Sequence, residues 1–263
     1  MSYETITLEV EDGLAHLTLN RPEAANALNP AMASDLRRAA VHLAHAPGVR
    51  AILLTAAGRV FCGGGDLGAF AQVDAAELPA FIDDLTIDLH AAVARLSRLE
   101  APLVAAVTGS AGGAGMSLVA ACDLVVAGES ARFTMGYTKA GLVPDGTSSF
   151  YLARVVGLRR AMDLVLTNRT LSAAEAESWG LVNRVVPDDR VVAEATALAR
   201  QLASGPTRAL GLAKRVLYEG ANSSLEAAME RESAAISSAA TSEDAREGIA
   251  AFLGKRAAVF TGR

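Results

Sequence analysis

The order of apolar and polar positions predicts a chain that begins with strands and ends in helices. Apolar and polar residues alternate over 6–10 and 14–19, and Glu11-Asp12-Gly13 between them predicts the turn of a β-hairpin. Asn29-Pro30 predicts the start of a helix to about His45, because proline suits the first helical position. Continuous apolar runs at 49–55 and 103–107 predict buried strands.

Helical periodicity dominates the remaining chain. One helical pattern runs from about 75 to 99 and ends before Pro102. Further segments are predicted as a short helix at 113–121, short strands at 124–126 and 131–134, helices near 149–156, 159–167 and 173–178, an apolar passage at 181–186, and C-terminal helices at 207–218, 225–238 and 242–252. Strand, strand, helix units repeat loosely, so we expect an α/β fold without a low-complexity linker.

Two glycine-rich turns, at 61–67 and 109–115, each follow a predicted buried strand. Residues without bulk expose backbone N–H groups, and two such turns from neighbouring strands can direct two N–H groups at one oxygen. That geometry stabilises a developing oxyanion. Two alternatives are turns that merely connect strands to helices, and dinucleotide binding by the second turn. The second turn lacks the Gly-x-Gly-x-x-Gly spacing and lies in the middle of the chain, which disfavours the dinucleotide site.

Composition narrows the classes of function. With 263 residues, 51% of them hydrophobic, the chain predicts one large domain, or one with a small appendage, around a sizeable core. A net charge of −5 argues against a nucleic-acid surface. Cys62 and Cys122 are the two cysteines, and no Cys/His spacing suits zinc, so neither a disulfide framework nor a metal site is expected. The absence of a leader-like or membrane-length apolar segment favours the cytoplasm and no membrane partner.

Six motifs occur along the chain in one consistent order. They are Asn20-Arg21-Pro22-Glu23 with Asn26-Ala27-Leu28, the first glycine turn, residues 105–115, Gly141-Leu142-Val143-Pro144, Trp179-Gly180-Leu181-Val182, and residues 247–256. In this order they resemble the crotonase, or enoyl-CoA hydratase/isomerase, family from end to end. The resemblance implies a spiral core of strand-strand-helix units over 1–204 and a helical trimerisation region over 205–263 that packs on neighbouring subunits. It also implies a homotrimer or a hexamer.

The resemblance implies an acyl-CoA substrate and no separate cofactor. Matched by position, the N–H groups of Gly65 and Ala114 would hold the thioester carbonyl. The helix predicted at 113–121 supports this independently, because N–H groups in a first helical turn are unpaired and favour negative charge.

The residues that match the two hydratase glutamates are Ser117 and Tyr137, and neither is a carboxylate. Asp145 instead matches the carboxylate of Δ3,Δ2-enoyl-CoA isomerases and of the related isomerase of phenylacetate breakdown. The predicted reaction removes a proton from C2 and returns it at C4, for which one carboxylate suffices. The alternatives are a turn-forming role for Asp145 after Pro144, a hydratase or another crotonase-type reaction, and a non-catalytic CoA-binding relative.

Further residues are predicted around the substrate. Asp66 is expected to order the first turn by accepting N–H bonds, and Tyr137 to shape the acyl pocket or pack in the core. Ala24 stands where many relatives carry Lys or Arg, and Lys255 would reach the CoA of a neighbouring subunit. The candidate substrate- and CoA-binding residues are Arg21, Ala25, Ala27, Gly63, Asp66, Leu67, Gly113, Ser117, Tyr137, Phe252 and Lys255. His16, His42, His45 and His90 lie outside the motifs and are predicted to be surface or structural residues.

Overall fold

A computed structural model of the chain describes residues 2–263. Its regular structure consists of two sheets, eleven α-helices and three short 3-10 helices. The strands are β1 Ile6–Glu11, β2 Leu14–Leu19, β3 Ala51–Ala56, β4 Leu103–Val107, β5 Ser110–Gly112, β6 Leu124–Gly128, β7 Arg132–Thr134, β8 Leu171–Ser172 and β9 Arg184–Val186. The helices are α1 Pro30–His45, α2 Leu67–Phe70, α3 Leu78–Leu96, α4 Ala114–Ala120, α5 Ser148–Val156, α6 Leu158–Thr167, α7 Ala173–Ser178, α8 Val191–Ala203, α9 Thr207–Gly220, α10 Leu225–Ala240 and α11 Glu243–Leu253.

The larger sheet has six strands in the order β1-β2-β3-β4-β6-β9. Strands β1 and β2 form the predicted antiparallel hairpin, and the following pairs are all parallel. The smaller sheet has the order β5-β7-β8. Each turn of the chain contributes to the larger sheet and then to the smaller one or to a helix, which is the predicted spiral of strand-strand-helix units.

Both faces of the larger sheet are covered, which explains the continuous apolar runs of its central strands. Leu53 and Val104 point into a cluster with Val191 and other residues of α8. Their neighbours Leu54 and Ala105 point into the main core, which α1 and α3 also line. The two-residue period of a strand therefore divides each run between two hydrophobic clusters.

Most elements match the predicted sequence pattern, with differences at their ends, while α2, α8, β5 and β8 lie outside the predicted helices and strands. The long helix is shorter than predicted because α3 begins at Leu78 and ends at Leu96. Strand β9 occupies only the second half of the apolar passage at 181–186, since Leu181 and Val182 pack in the core before it. Helix α1 has the predicted start: Pro30 is its first residue, and the Asn29 side chain accepts a hydrogen bond from the Met32 N–H.

The C-terminal helices contact the core through α9. The Lys214 ammonium lies 2.7 Å from the Asp123 carboxylate, and both side chains are largely buried. Helix α10 contributes no buried residue. The division into a core at 1–204 and a helical region at 205–263 stays a prediction. Within residues 2–263, no helix combines the length and apolarity needed to cross a bilayer, and no three His, Cys, Asp or Glu side chains group as metal ligands would.

Candidate active site

The two glycine-rich turns meet side by side. The Cys62 N–H donates to the Ser110 carbonyl at 3.2 Å, and the Gly112 N–H donates to the Cys62 carbonyl at 2.9 Å. A Cβ on Gly64, whose φ is +109°, would lie 3.1 Å from the Gly112 carbonyl oxygen. A Cβ on Gly115 would lie 2.4 Å from the Cys62 carbonyl oxygen. Only residues without side chains allow this approach of one turn to the other.

Gly65 and Ala114 present unpaired N–H groups at this junction. The residues on either side of Gly65 are bonded to the segment before α1: the Leu28 N–H donates to the Gly64 carbonyl, and the Asp66 N–H donates to the Leu28 carbonyl. Ala114 is the first residue of α4, and Gly113 caps that helix without a side-chain bond. Among residues 2–263, no acceptor lies within hydrogen-bond reach of either N–H group. Both donors are therefore available to a bound oxygen.

A cavity of about 340 Å³ opens onto these two residues. Its walls include the two glycine turns, the middle of α3 and the segment 137–145, together with Leu28, Phe70 and Thr134. Leu85 and Leu89 of α3, together with Leu142, supply apolar surface. Of the described residues that line the cavity, Asp145 alone carries a carboxylate. The cavity joins an apolar wall, two N–H donors and one carboxylate, a combination typical of a small-molecule site.

Asp145 has an unexpected partner. Nε2 of His90 lies 2.6 Å from Oδ1 of Asp145, and the side chains are 49% and 24% exposed. His90 is on α3, one residue after the buried Leu89 and one turn after Thr86, which lines the cavity. This contact was not predicted, since the sequence placed His90 among surface or structural histidines.

Ser117 and Tyr137 lie next to the main chain of Asp145, and Tyr137 also lines the cavity. Ser117 is fully buried on α4, and its Oγ is 3.2 Å from the Tyr137 hydroxyl and 2.8 Å from the Asp145 carbonyl oxygen. Burial raises the pKa of the Tyr137 phenol far above its usual value, and the nearby Asp145 charge adds to the rise. Tyr137 therefore stays a neutral hydroxyl at physiological pH and cannot act as a base there.

The geometry can be compared with known proteins. A family model described as Enoyl-CoA hydratase/isomerase matches residues 9–263. The chain belongs to the enoyl-CoA hydratase/isomerase family. Family membership confirms the predicted acyl-CoA enzyme class, while the reactions of individual relatives differ.

Three similar proteins carry three different reactions in their names. A 1,2-epoxyphenylacetyl-CoA isomerase from Escherichia coli strain K12 is 38% identical over 260 residues, covering 99% of both chains. A 4-chlorobenzoyl coenzyme A dehalogenase-2 from Arthrobacter is 39% identical over 227 residues, covering 86% of this chain and 82% of its own. A solved structure of an enoyl-CoA hydratase from Polaromonas superposes with a TM-score of 0.91 at 34% identity, over 97% of this chain and 99% of that one.

Arg21, a candidate CoA-binding residue, holds together the loop before α1. Its guanidinium donates to the Ala27 carbonyl at 2.6 Å and to the Asp66 carboxylate at 3.2 Å. Asp66 also accepts from the Ala69 N–H at 3.1 Å and caps α2, which agrees with the turn-ordering role expected of it. Both charges of this pair are therefore already engaged inside the protein.

Other predicted binding residues divide into two groups. Gly63, Leu67 and Gly113 line the cavity, and Ala25 is tied to it because its carbonyl accepts the Gly63 N–H at 2.9 Å. Phe252 and Lys255, at the end of α11, are exposed and do not line it. Their predicted contact with CoA therefore needs a neighbouring subunit.

Asn26, in the motif Asn26-Ala27-Leu28, has a structural role that the sequence did not reveal. It is fully buried, and its side-chain amide donates to the carbonyls of Ala57 and Val60 at 2.8 Å each. Its φ of +52° follows a similar value at Ala25. Asparagine is the residue that tolerates this conformation while its side chain replaces backbone hydrogen bonds.

Proposed function

We propose that this protein is an enoyl-CoA isomerase that shifts a double bond from the Δ3 to the Δ2 position. The observation that carries the proposal is the cavity lined by two unpaired N–H groups, at Gly65 and Ala114, and by the carboxylate of Asp145. A hydratase must activate water and protonate carbon, for which its relatives use two carboxylates. An isomerase needs one group that accepts and returns a proton.

The reaction follows from thioester chemistry. Asp145 removes a proton from C2 of a 3-enoyl-CoA, and the electron pair of that C–H bond moves into the conjugated enolate. The enolate oxygen accepts hydrogen bonds from Gly65 and Ala114, each worth about 3 kcal/mol of barrier in comparable oxyanion holes. Asp145 then delivers the same proton to C4, which leaves the double bond between C2 and C3. No water is consumed.

The test is product analysis with two substrates. The protein should convert a 3-enoyl-CoA to the 2-enoyl-CoA without a change in mass, and a 2-enoyl-CoA should gain water slowly or not at all. In D₂O, deuterium should enter at C4 to the extent that the shuttled proton exchanges with solvent. Rapid formation of a product heavier by one water would contradict the isomerase assignment and support a hydratase.

His90 supports a second candidate, the replacement of halogen by hydroxyl on an aromatic acyl-CoA. A carboxylate that attacks a ring carbon bearing chlorine forms an aryl ester and releases chloride, and water must then cleave that ester. An imidazole 2.6 Å from the carboxylate is placed to deprotonate such a water. The Arthrobacter relative is named as a dehalogenase of 4-chlorobenzoyl coenzyme A.

Chloride release separates the two candidates. With 4-chlorobenzoyl-CoA, the second candidate requires one chloride per 4-hydroxybenzoyl-CoA formed, and His90→Gln should accumulate an aryl ester on Asp145 that mass spectrometry detects on the intact protein. The isomerase proposal expects no chloride and no adduct. A CoA-binding relative without catalysis would show binding of acyl-CoA and neither product.

We also propose that the protein works as a homotrimer or hexamer in the cytoplasm. Exposed apolar side chains on the last three helices support the assembly, among them Leu217, Ile236 and Phe252, which are 75%, 72% and 84% exposed. Such surface is typical of a subunit interface. The two cysteines are free and buried, which fits a reducing compartment.

A further inference from the structure

Ser117 is a buried residue whose side chain contacts the main chain of the candidate base. It has three oxygen neighbours: the Asp145 carbonyl at 2.8 Å, the Tyr137 hydroxyl at 3.2 Å and the Gly113 carbonyl at 3.3 Å. Its side chain is completely shielded from solvent. The Gly113 contact lies within the first turn of α4, whereas the other two reach the segment 137–145, so Ser117 joins α4 to the segment that carries Asp145.

The chemistry of the groups determines the direction of these bonds. A carbonyl oxygen only accepts, so the one proton of the Ser117 hydroxyl goes to Asp145 or to Gly113. The shorter contact is to Asp145. The Ser117 oxygen then accepts, and the Tyr137 hydroxyl donates to it. The chain of bonds runs from Tyr137 through Ser117 to the Asp145 carbonyl, and successive bonds in such a chain strengthen one another.

The turn after Asp145 has few other restraints. Gly146 and Thr147 both have left-handed φ values, +61° and +68°, before α5 begins at Ser148. The Ser148 N–H donates to the Asp145 carbonyl at a longer 3.2 Å. A Cβ on Gly146 would lie 3.0 Å from the Ser117 Cβ, so the turn is pressed directly against this serine.

We propose that Tyr137 and Ser117 form a hydroxyl clamp that sets the position of the Asp145 carboxylate by holding the main-chain carbonyl of the same residue. The inference rests on the proposed function, in which Asp145 carries the proton. Both hydroxyls are positioning residues. They occupy the positions that match the hydratase glutamates. In this protein those positions hold the main chain of Asp145 and supply no carboxylate of their own.

The clamp is tested by Ser117→Ala, with Ser148→Ala as the matched control. Ser148 is equally buried and three residues from Asp145, but its hydroxyl has no hydrogen-bond partner within residues 2–263. Loss of the clamp should slow the turnover of a bound 3-enoyl-CoA by about 10–100-fold, the cost of a displacement near 1 Å at a reacting group. The KM, and the affinity for saturated hexanoyl-CoA, should stay within about twofold of the wild type.

Two more variants separate positioning from general stability. Tyr137→Phe keeps the ring and removes the donor, so it should produce a smaller loss of kcat in the same direction. Ser117→Cys keeps an unbranched side chain with a weaker S–H donor and should recover part of the kcat lost in Ser117→Ala. Ser148→Ala should keep the wild-type kcat. Equal kcat values for Ser117→Ala and Ser148→Ala would overturn the clamp.

A readout without activity distinguishes failure of the clamp from failure of the proposed function. In Ser117→Ala the Ser148 amide should exchange its hydrogen at least tenfold faster than in the wild type, because its acceptor is no longer held. If the wild type does not isomerise 3-enoyl-CoA, the proposed function is wrong, and the exchange rate of the Ser148 amide alone then tests the clamp. Unchanged exchange would overturn it.

Discussion

Asp145 differs from the other acidic residues of this chain because three kinds of contact meet at it. Its carboxylate touches the His90 ring, its carbonyl accepts the Ser117 hydroxyl, and its side chain faces the cavity. A carboxylate that only ordered a turn would accept N–H groups of the same turn, as Asp66 does from Ala69. Among residues 2–263, no backbone N–H donates to the Asp145 carboxylate.

Replacing the carboxylate gives the first prediction. Asp145→Asn keeps the size of the side chain and removes the base, so isomerisation should fall by about 10²–10⁴-fold, the range typical of general base catalysis. Affinity for hexanoyl-CoA and the melting temperature should change little. Asp83→Asn, at an exposed position on α3, is the control and should retain wild-type rates. A mutant with normal turnover and a lower melting temperature would assign Asp145 a structural role.

The sequence predicted part of this site for identifiable reasons. Gly65, Ala114 and Asp145 lie in or next to motifs that resemble those of the family, and the position-by-position match to the family singled them out. The partner of Asp145 was not accessible in this way, since His90 is 55 positions away and lies in a helix without a motif. His90 lies one turn after Thr86, on the side of α3 that lines the cavity. This position points to Asp145 only when the fold has placed the segment 137–145 opposite α3.

At the scale of elements, the contact between the first glycine turn and α4 determines where the two N–H donors lie. Gly115 is inside α4, and no positive φ requires a glycine there. The requirement is space, since an added Cβ would stand 2.4 Å from the Cys62 carbonyl. The close packing of α4 on the first glycine turn therefore depends on the absence of a side chain at Gly115.

Gly115→Ala should force α4 away from the first turn. We expect a loss of about 1–3 kcal/mol in the free energy of unfolding, as for other overpacked sites, and a larger fall in kcat because Ala114 moves with the helix. Gly220→Ala is the matched control: it ends α9, and nothing lies within 4 Å of its added Cβ. Denaturant unfolding and isomerase kinetics measure both effects, and an active, stable Gly115→Ala would contradict the packing argument.

The identities of most strands and helices followed from periodicity, although those of α2, α8, β5 and β8 did not. The ends of elements depended on tertiary contacts that periodicity does not reveal. Residues 181 and 182 continue an apolar run, yet they pack in the core before β9 begins at Arg184. Only the paired partner β6 determines where that strand starts, and β6 lies more than fifty residues earlier. Local pattern predicted the segment, and tertiary pairing determined its length.

The chain end after α11 is tied down by Glu247. Its carboxylate accepts from the Arg256 guanidinium and from the Val259 N–H, and these bonds lower its pKa to about 2. The unfolded pKa is about 4.3, so the folded state holds the charged form more strongly. The stabilisation is therefore present above about pH 4.3 and is lost as the pH falls through that value towards 2.

The melting temperature of Glu247→Gln should lie below that of the wild type at pH 6, and the difference should shrink as the pH is lowered to 3. Glu232→Gln, at an exposed position on α10, is the control and should follow the wild type across this range. Calorimetry at several pH values measures the difference directly. A constant difference between Glu247→Gln and the wild type would mean that the Glu247 charge does not stabilise this chain end.

At the scale of the whole molecule, the C-terminal helices expose several large apolar side chains, as the proposed subunit interface requires. Helix α10 buries none of its residues, and Ile236 on it is 72% exposed. Phe252, which is 84% exposed, and Lys255 lie at the end of the next helix, away from the cavity that they are proposed to serve. A homo-oligomer would both bury this apolar surface and place Phe252 and Lys255 next to the substrate of a neighbouring subunit.

Ile236→Asp should therefore shift the protein from a trimer or hexamer towards monomer, because it places a charge in the proposed interface. Ile87→Asp introduces the same change on α3 at 60% exposure and should leave the assembly intact. Light scattering after size-exclusion chromatography gives the mass of each variant. The KM for acyl-CoA should rise together with dissociation, since Lys255 would lose its neighbouring site. A wild-type protein that is monomeric at micromolar concentration and fully active would contradict both the interface and the shared binding site.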